Sequence, residues 1–202
     1  MSKEYKEEDI DDILFGNINH DYGCDSGVSE RLVNIHIKPL IETRYDAIVI
    51  SCESSFICSD SNCKSNTLFK SFDTMAGIDY IIISKSNQTI KTMASRTQSD
   101  GIDWRTFTVR IARDNGTKTE VEKRTNSIFE DDTNIYPSLT MQAYFKGEEL
   151  LSAAIVRTKA LYEFVARKEY KINHTAKDRQ GQCTFGSVAW SKFSEKDIIF
   201  LK

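Results

Sequence analysis

Gly77-Ile78-Asp79-Tyr80-Ile81-Ile82-Ile83-Ser84 is the stretch on which the fold turns. It is short, β-branched and bounded by turn-forming residues, so it reads as a strand rather than a helix. Its apolar residues fall on both faces, which marks a central strand rather than an edge. Asp79 is the exception. A carboxylate beside a central strand is costly unless it is paired, hydrogen-bonded or metal-bound.

Working outward, Lys85-Ser86-Asn87-Gln88 reads as a turn and Thr89–Gln98 as a second strand, antiparallel to the first. Its two-residue period puts Ala94, Arg96 and Gln98 on one face and Met93, Ser95 and Thr97 on the other. Thr106–Ile111 alternates cleanly and is expected as the next strand of the same sheet, closed by the turn Asp114-Asn115-Gly116. Upstream, Ser29 reads as the N-cap of a helix carrying Leu32, Val33, Ile35, Ile37, Leu40 and Ile41, interrupted at Pro39. Asp46–Ser51 fits either a buried strand or the end of that helix. Downstream, residues 117–129 suit a helix with Thr117 as its cap, and Ser138–Phe145 a strand. Glu148–Arg167 is expected as the longest helix, because Leu150, Leu151, Ala154, Ile155, Thr158, Leu161, Tyr162 and Val165 recur at helical spacing. Thr184–Trp190 and Asp197–Leu201 close the chain as short strands, after a loop around residues 177–182. The expectation is one α/β or α+β domain over residues 1–202, with a central mixed sheet flanked by helices and residues 1–27 as an acidic, irregular lead-in.

The bulk properties narrow the function classes. The chain has 202 residues, 40% of them hydrophobic and 28% charged, with a net charge of −3. That is globular rather than disordered, and not a strongly basic nucleic-acid binder. A local basic face is still compatible with the total, since six acidic residues crowd into Glu4–Asp12. Five cysteines at irregular spacing argue against a disulfide framework and for a reducing compartment, the cytoplasm. No apolar leader or 18-residue apolar run is present, so no membrane association is expected. Cys52, Cys58 and Cys63 lack the tight paired spacing of a zinc site, even with Cys24 or His20 added, so zinc is not expected.

The site candidates start from Asp79. It reads either as a metal ligand or acid/base group at the mouth of the sheet, or as a structural Asp that caps a turn or pairs with Arg96 across the hairpin. The stretch Trp104-Arg105-Thr106-Phe107-Thr108-Val109-Arg110-Ile111-Ala112-Arg113 is a second candidate. Trp104 would stack on a base, while Arg105, Arg110 and Arg113, with Lys118, Lys123 and Arg124 following, would contact phosphates. An ordinary solvated edge strand accounts for the same pattern. His36, Glu30 and Glu42 on the first helix, and His174 after the long one, read as packing or surface residues.

The order helix, strands carrying Gly77-Ile78-Asp79, a next strand ending in polar residues, then helix and strand resembles the PD-(D/E)XK nuclease superfamily, which includes restriction endonucleases and Holliday-junction resolvases. The resemblance implies an αβββαβ core over residues 28–145, Mg²⁺ on Asp79 and action on nucleic acid, with Ser187–Trp190 and Ile198–Phe200 as closing strands. It places the family's Glu-x-Lys on Ala94-Ser95-Arg96. Ala94 has no ligand atom and Arg96 stays protonated, so it serves only to stabilise charge. Gln98 is the neutral oxygen ligand that migrated-site members of the family would use. Two functions follow from the resemblance: a metal-dependent phosphodiesterase, or a catalytically inactive phage or bacterial interaction or inhibitor protein that uses the fold to bind a protein partner. The Lys-, Ile-, Asn- and Ser-rich usage fits such a source.

Overall fold

The computed structural model describes residues 22–52, 72, 76–113, 119–130, 135–174 and 183–202. The fold is mixed α and β. Helix α1 (Tyr22–Leu32) runs through a π-helical turn (Val33–Ile37) into α2 (Lys38–Tyr45). The strands are β1 (Ala47–Ser51), β2 (Tyr80–Ser84), β3 (Ile90–Gln98), β4 (Thr106–Arg113), β5 (Leu139–Lys146) and β6 (Glu149–Arg157), then β7 (Lys171–His174), β8 (Cys183–Ala189) and β9 (Ile198–Phe200). Helix α3 (Glu120–Phe129) precedes β5, and α4 (Thr158–Ala166) follows β6.

Six strands form one sheet in the order β1-β2-β3-β5-β6-β9. β1, β2 and β3 are successive antiparallel neighbours, β3 and β5 are parallel, and β5, β6 and β9 are antiparallel again. The β3-to-β5 connection contains β4 and α3, a crossover long enough to return the chain in the same direction. A second, three-stranded sheet has the order β4-β8-β7. The large sheet separates two cores. On one face Val33, Ile37 and Ile41 of the helix pack on Tyr80, Met93, Met141, Ala143 and Ile155. On the other, Phe107, Val109 and Val188 of the small sheet and Leu161, Tyr162 and Val165 of α4 pack with Tyr144, Ala154 and Val156.

Several sequence expectations change. Glu149–Arg157 is a strand, not the first half of a long helix. Ser152–Val156 is buried throughout because both faces of β6 are covered. A strand covered on both faces shows no strict polar–apolar alternation, so periodicity could not separate it from a helix. The tight turn at Gly147 (φ +58°) folds β6 back on β5, and only the remainder, Thr158–Ala166, is helical. Thr106–Ile111 is a strand but leaves the main sheet for the small one, where cross-strand pairing with β8 buries Phe107 and Val109. β2 is interior, flanked by β1 and β3, yet the middle of the sheet is β3 and β5. Asp46–Ser51 resolves to a strand after Asp46, which ends α2 in the left-handed conformation.

Residues 22–27 already belong to α1, so Ser29 lies inside the helix; its hydroxyl accepts from Thr97 Oγ1 at 2.8 Å instead of capping. Pro39 does not break the helix. The preceding π turn, closed by Lys38 N–H to the Val33 carbonyl, widens the register just before the residue that lacks a donor. Helix α3 is capped by Thr119. Its hydroxyl accepts from Glu122 N–H, and the Glu122 carboxylate accepts from Thr119 N–H at 2.8 Å, a reciprocal capping box. His174 ends β7 rather than sitting in a loop. Glu30 and Glu42 are half-buried acceptors, not solvated charges: Glu30 accepts from Ser51 Oγ at 2.7 Å and Glu42 from Val49 N–H at 3.0 Å. His36 packs on Phe145, ring centres 5.7 Å apart. Among the described residues no helix is long and apolar enough to cross a membrane. Cys52 is buried; Cys58, Cys63 and His20, with Thr117 and the turn at 114–116, lie outside the described residues.

Candidate functional site

Asp79 closes the mouth of β2. Its N–H donates to the Met93 carbonyl at 3.0 Å and its carbonyl accepts from Cys52 N–H at 2.8 Å, so the backbone is held from both flanking strands. One carboxylate oxygen accepts from Ser95 N–H at 2.5 Å, prolonging the β2–β3 ladder where main-chain pairing stops. This carboxylate is hydrogen-bonded to a main-chain N–H of the neighbouring strand, at the open end of the β2–β3 hairpin. Gly77 prepares the approach. It sits at φ +62°, and an added Cβ would lie 2.7 Å from Arg124 Nη2, which itself donates to the Gly77 carbonyl at 3.1 Å. Only a glycine meets both conditions.

The predicted alternation of β3 holds. Thr97 meets Ser29 of the helix layer, while Arg96 and Gln98 point the other way, into the seam between the two sheets. There the Arg96 guanidinium carbon lies 5.3 Å from the ring centre of Phe185 on β8. Arg110 of β4, the cross-strand partner of Phe185, places its own guanidinium 5.6 Å from the same ring centre. Two cations from two different sheets thus approach one half-buried aromatic ring. Beside them runs a polar chain. Gln142, 1% exposed on β5, donates to Gln98 Oε1 at 3.3 Å and accepts from Thr108 Oγ1 at 3.0 Å. Tyr144 continues it: its hydroxyl donates to the Thr106 carbonyl at 2.7 Å, and burial pushes its phenol above the ordinary 10.0. Asp79, Arg96, Arg110 and Arg124 all take part in further contacts.

The sequence-predicted residues divide accordingly. Arg96 and Arg110 converge. Gln98 joins the same seam but does not join Asp79: it lies four residues beyond Ala94 along β3, about 13 Å at the usual rise per residue, with its oxygen already accepting from Gln142. Trp104 and Arg105 stand apart on an exposed loop. Asp100 accepts from the Trp104 indole N–H at 3.3 Å, and Asp103 pairs with Arg105 Nε at 3.0 Å. Arg113 pairs with Cys183 through β4, and its side chain lies outside the described residues. Phe185 was not singled out from sequence and gave no signal, since its contact with Arg110 arises from the β4–β8 register. Arg124, read from sequence as one of the basic residues that follow the Trp104–Arg113 stretch, is instead buried on the inward stripe Val121–Arg124–Ile128 of α3, where it donates to the Gly77 carbonyl.

Comparison with protein-family models, curated proteins and solved structures finds no match for this chain. The site's chemistry rests on its own geometry. Arg96 and Arg110 carry guanidiniums, a group that can hydrogen-bond an oxyanion as a fork, and Asp79 carries a carboxylate, a group that can act as a hard oxygen ligand.

Proposed function

We propose that this chain acts on nucleic acid, binding the phosphate backbone at the seam of the two sheets and cleaving it beside Asp79. The observation that carries the reading is the convergence of Arg96 and Arg110 on Phe185, on the seam side of the sheet whose end carries Asp79. The element order supports it. Helix, three antiparallel strands, crossover helix and a strand parallel to the third follow the αβββαβ order of the restriction-endonuclease-like core, with β4 inserted in the crossover. Magnesium is tested by the donor set. Asp79 supplies one carboxylate, Ala94 none, and no cluster of three His, Cys, Asp or Glu occurs among the described residues. That set fits an ion shared with substrate phosphates and water, and does not fit one held in advance by several carboxylates. Such an ion would activate water and neutralise charge at the phosphoryl group. Arg96 would stabilise the charge that develops on the phosphoryl oxygens, and the Ser95 N–H would keep the Asp79 carboxylate in place.

Asp79→Asn retains an acceptor for Ser95 N–H and removes the charge. It is expected to abolish Mg²⁺-dependent cleavage of DNA or RNA while leaving binding in EDTA intact. Wild-type protein that cuts neither nucleic acid with any divalent metal refutes the cleavage step. One observation favours a second reading, a binding protein without catalysis: Ala94 stands where the resemblance requires a carboxylate. Nucleic-acid binding without cleavage selects it, and capture of a protein with no nucleic-acid binding points to the interaction or inhibitor class.

A further inference from the structure

We infer that Arg44 is an edge guard, which keeps strand β9 of the large sheet from pairing with β9 of a second copy of the chain. The outer strands of that sheet are β1 and β9, and an outer strand presents main-chain groups on which another strand can build. On β1, the Asp46 carbonyl accepts from Lys85 N–H and the Cys52 N–H donates to the Asp79 carbonyl. Even-numbered residues there bond to β2, so Ala47, Val49 and Ser51 turn their main-chain groups outward. On β9, Arg157 N–H donates to the Asp197 carbonyl and Leu201 N–H to the Ala153 carbonyl. Odd-numbered residues bond to β6, and Ile198 and Phe200 turn outward. Helix α2 sends one side chain to each edge. Glu42 accepts from Val49 N–H at 3.0 Å, and Arg44 Nη1 donates to the Phe200 carbonyl at 2.7 Å.

The two edges are not equally closed. Val49 is buried, whereas Phe200 is 51% exposed and Ile199 beside it is also at the surface. β9 is therefore the edge that a second strand can reach. It is also complementary to itself. Two β9 strands paired antiparallel about a two-fold axis at Phe200 would each donate the Phe200 N–H to the other's Phe200 carbonyl. The two Phe200 side chains would meet on one face as a cross-strand aromatic pair. In the single chain Arg44 holds the acceptor that both of those bonds need. Its guanidinium carbon also lies 5.6 Å from the Tyr45 ring centre, a contact that steadies it at the edge.

The test follows self-association of the full chain by light scattering, and amide exchange at Phe200, over a range of protein concentration. R44M keeps the stem and loses the donor. Pairing in the wild type has to break the Arg44 bond, so R44M is expected to associate at least about tenfold more tightly, the worth of one hydrogen bond to a charged group. Its Phe200 N–H should become protected as concentration rises. R44K keeps a donor and should stay close to the wild type, as should E42Q at the covered β1 edge. Adding F200P to R44M removes the outward N–H and none of the bonds to β6, and should restore wild-type behaviour. R44A replaces R44M, and F200K replaces F200P, if either variant does not fold. Equal self-association of R44M and the wild type, with Phe200 exchanging alike in both, overturns the guard. Association of R44M that leaves the Phe200 N–H unprotected, or that F200P does not reverse, overturns it too, because another surface then carries the contact. A wild type whose Phe200 N–H is already protected on association also overturns it, since the edge is then open despite Arg44.

Discussion

Gly77→Ala tests the construction of the site more directly than any change in the cluster itself. Two costs are separable. Alanine at φ +62° enters the left-handed region, at about 1–2 kcal/mol. Its methyl also lies 2.7 Å from Arg124 Nη2, so the guanidinium must leave the Gly77 carbonyl it donates to at 3.1 Å. Arg124 is only 8% exposed, and displacing a charged donor from a buried acceptor costs about 2 kcal/mol. The sum is about 3–4 kcal/mol. With an m-value of about 3 kcal/mol/M, the urea midpoint should fall by about 1 M. The decisive comparison is a double-mutant cycle. In an Arg124→Ala background the methyl has nothing to displace, so Gly77→Ala should cost only the conformational 1–2 kcal/mol, leaving a coupling of about 2 kcal/mol. Equal costs in both backgrounds would refute the contact between Arg124 and the Gly77-Ile78-Asp79 segment. A cost below about 0.5 kcal/mol in the wild type would refute the backbone argument as well.

Three other perturbations probe the surroundings. Thr119→Ala should destabilise by about 1 kcal/mol in urea melts, and Glu122→Ala should add little on top of it, because the two hydrogen bonds form one reciprocal cap. Gln142→Leu strands the Thr108 hydroxyl and removes the donor to Gln98, for a loss of about 1–3 kcal/mol in the same assay; a neutral outcome would mean that the chain across the seam carries no stability. Tyr144 gives a pH signature. Burial raises its phenol above 10.0 in the folded state, so the folded protein holds this proton more tightly than the unfolded chain. Its contribution is complete below pH 10 and is lost as pH rises above it toward the raised value. Tyr144→Phe should flatten the fall in stability above pH 10, at the cost of the hydrogen bond to the Thr106 carbonyl; an unchanged slope would refute the assignment.

Local signals carried the parts of the fold that local physics decides. The β-branched run at Tyr80–Ser84 and the alternation along Thr89–Gln98 were legible because one strand's pleat fixes its faces. Glu149–Arg157 was not, because burial on both sides erased the contrast between faces that periodicity needs. The sheet to which Thr106–Arg113 belongs was equally hidden: its partner, Cys183–Ala189, lies some seventy residues downstream, and no property of either strand names the other. The same distance explains the site. Asp79 and Arg96 stood out as polar groups on apolar strands, whereas Phe185 meets Arg110 only through the β4–β8 register.

The position of Asp79 at the end of the large sheet gives this arrangement its logic. The helix layer brings a second carboxylate to the same end: Glu30 holds the Ser51 hydroxyl, and the neighbouring Cys52 N–H binds the Asp79 carbonyl. The seam face brings cations instead, Arg96 and Arg110 on Phe185, while Arg124 secures the strand just before Asp79. The small sheet is then more than a cover for the core. It supplies Arg110 and Phe185, so the half of the chain after β3 provides the charges that the Gly77-Ile78-Asp79 segment lacks.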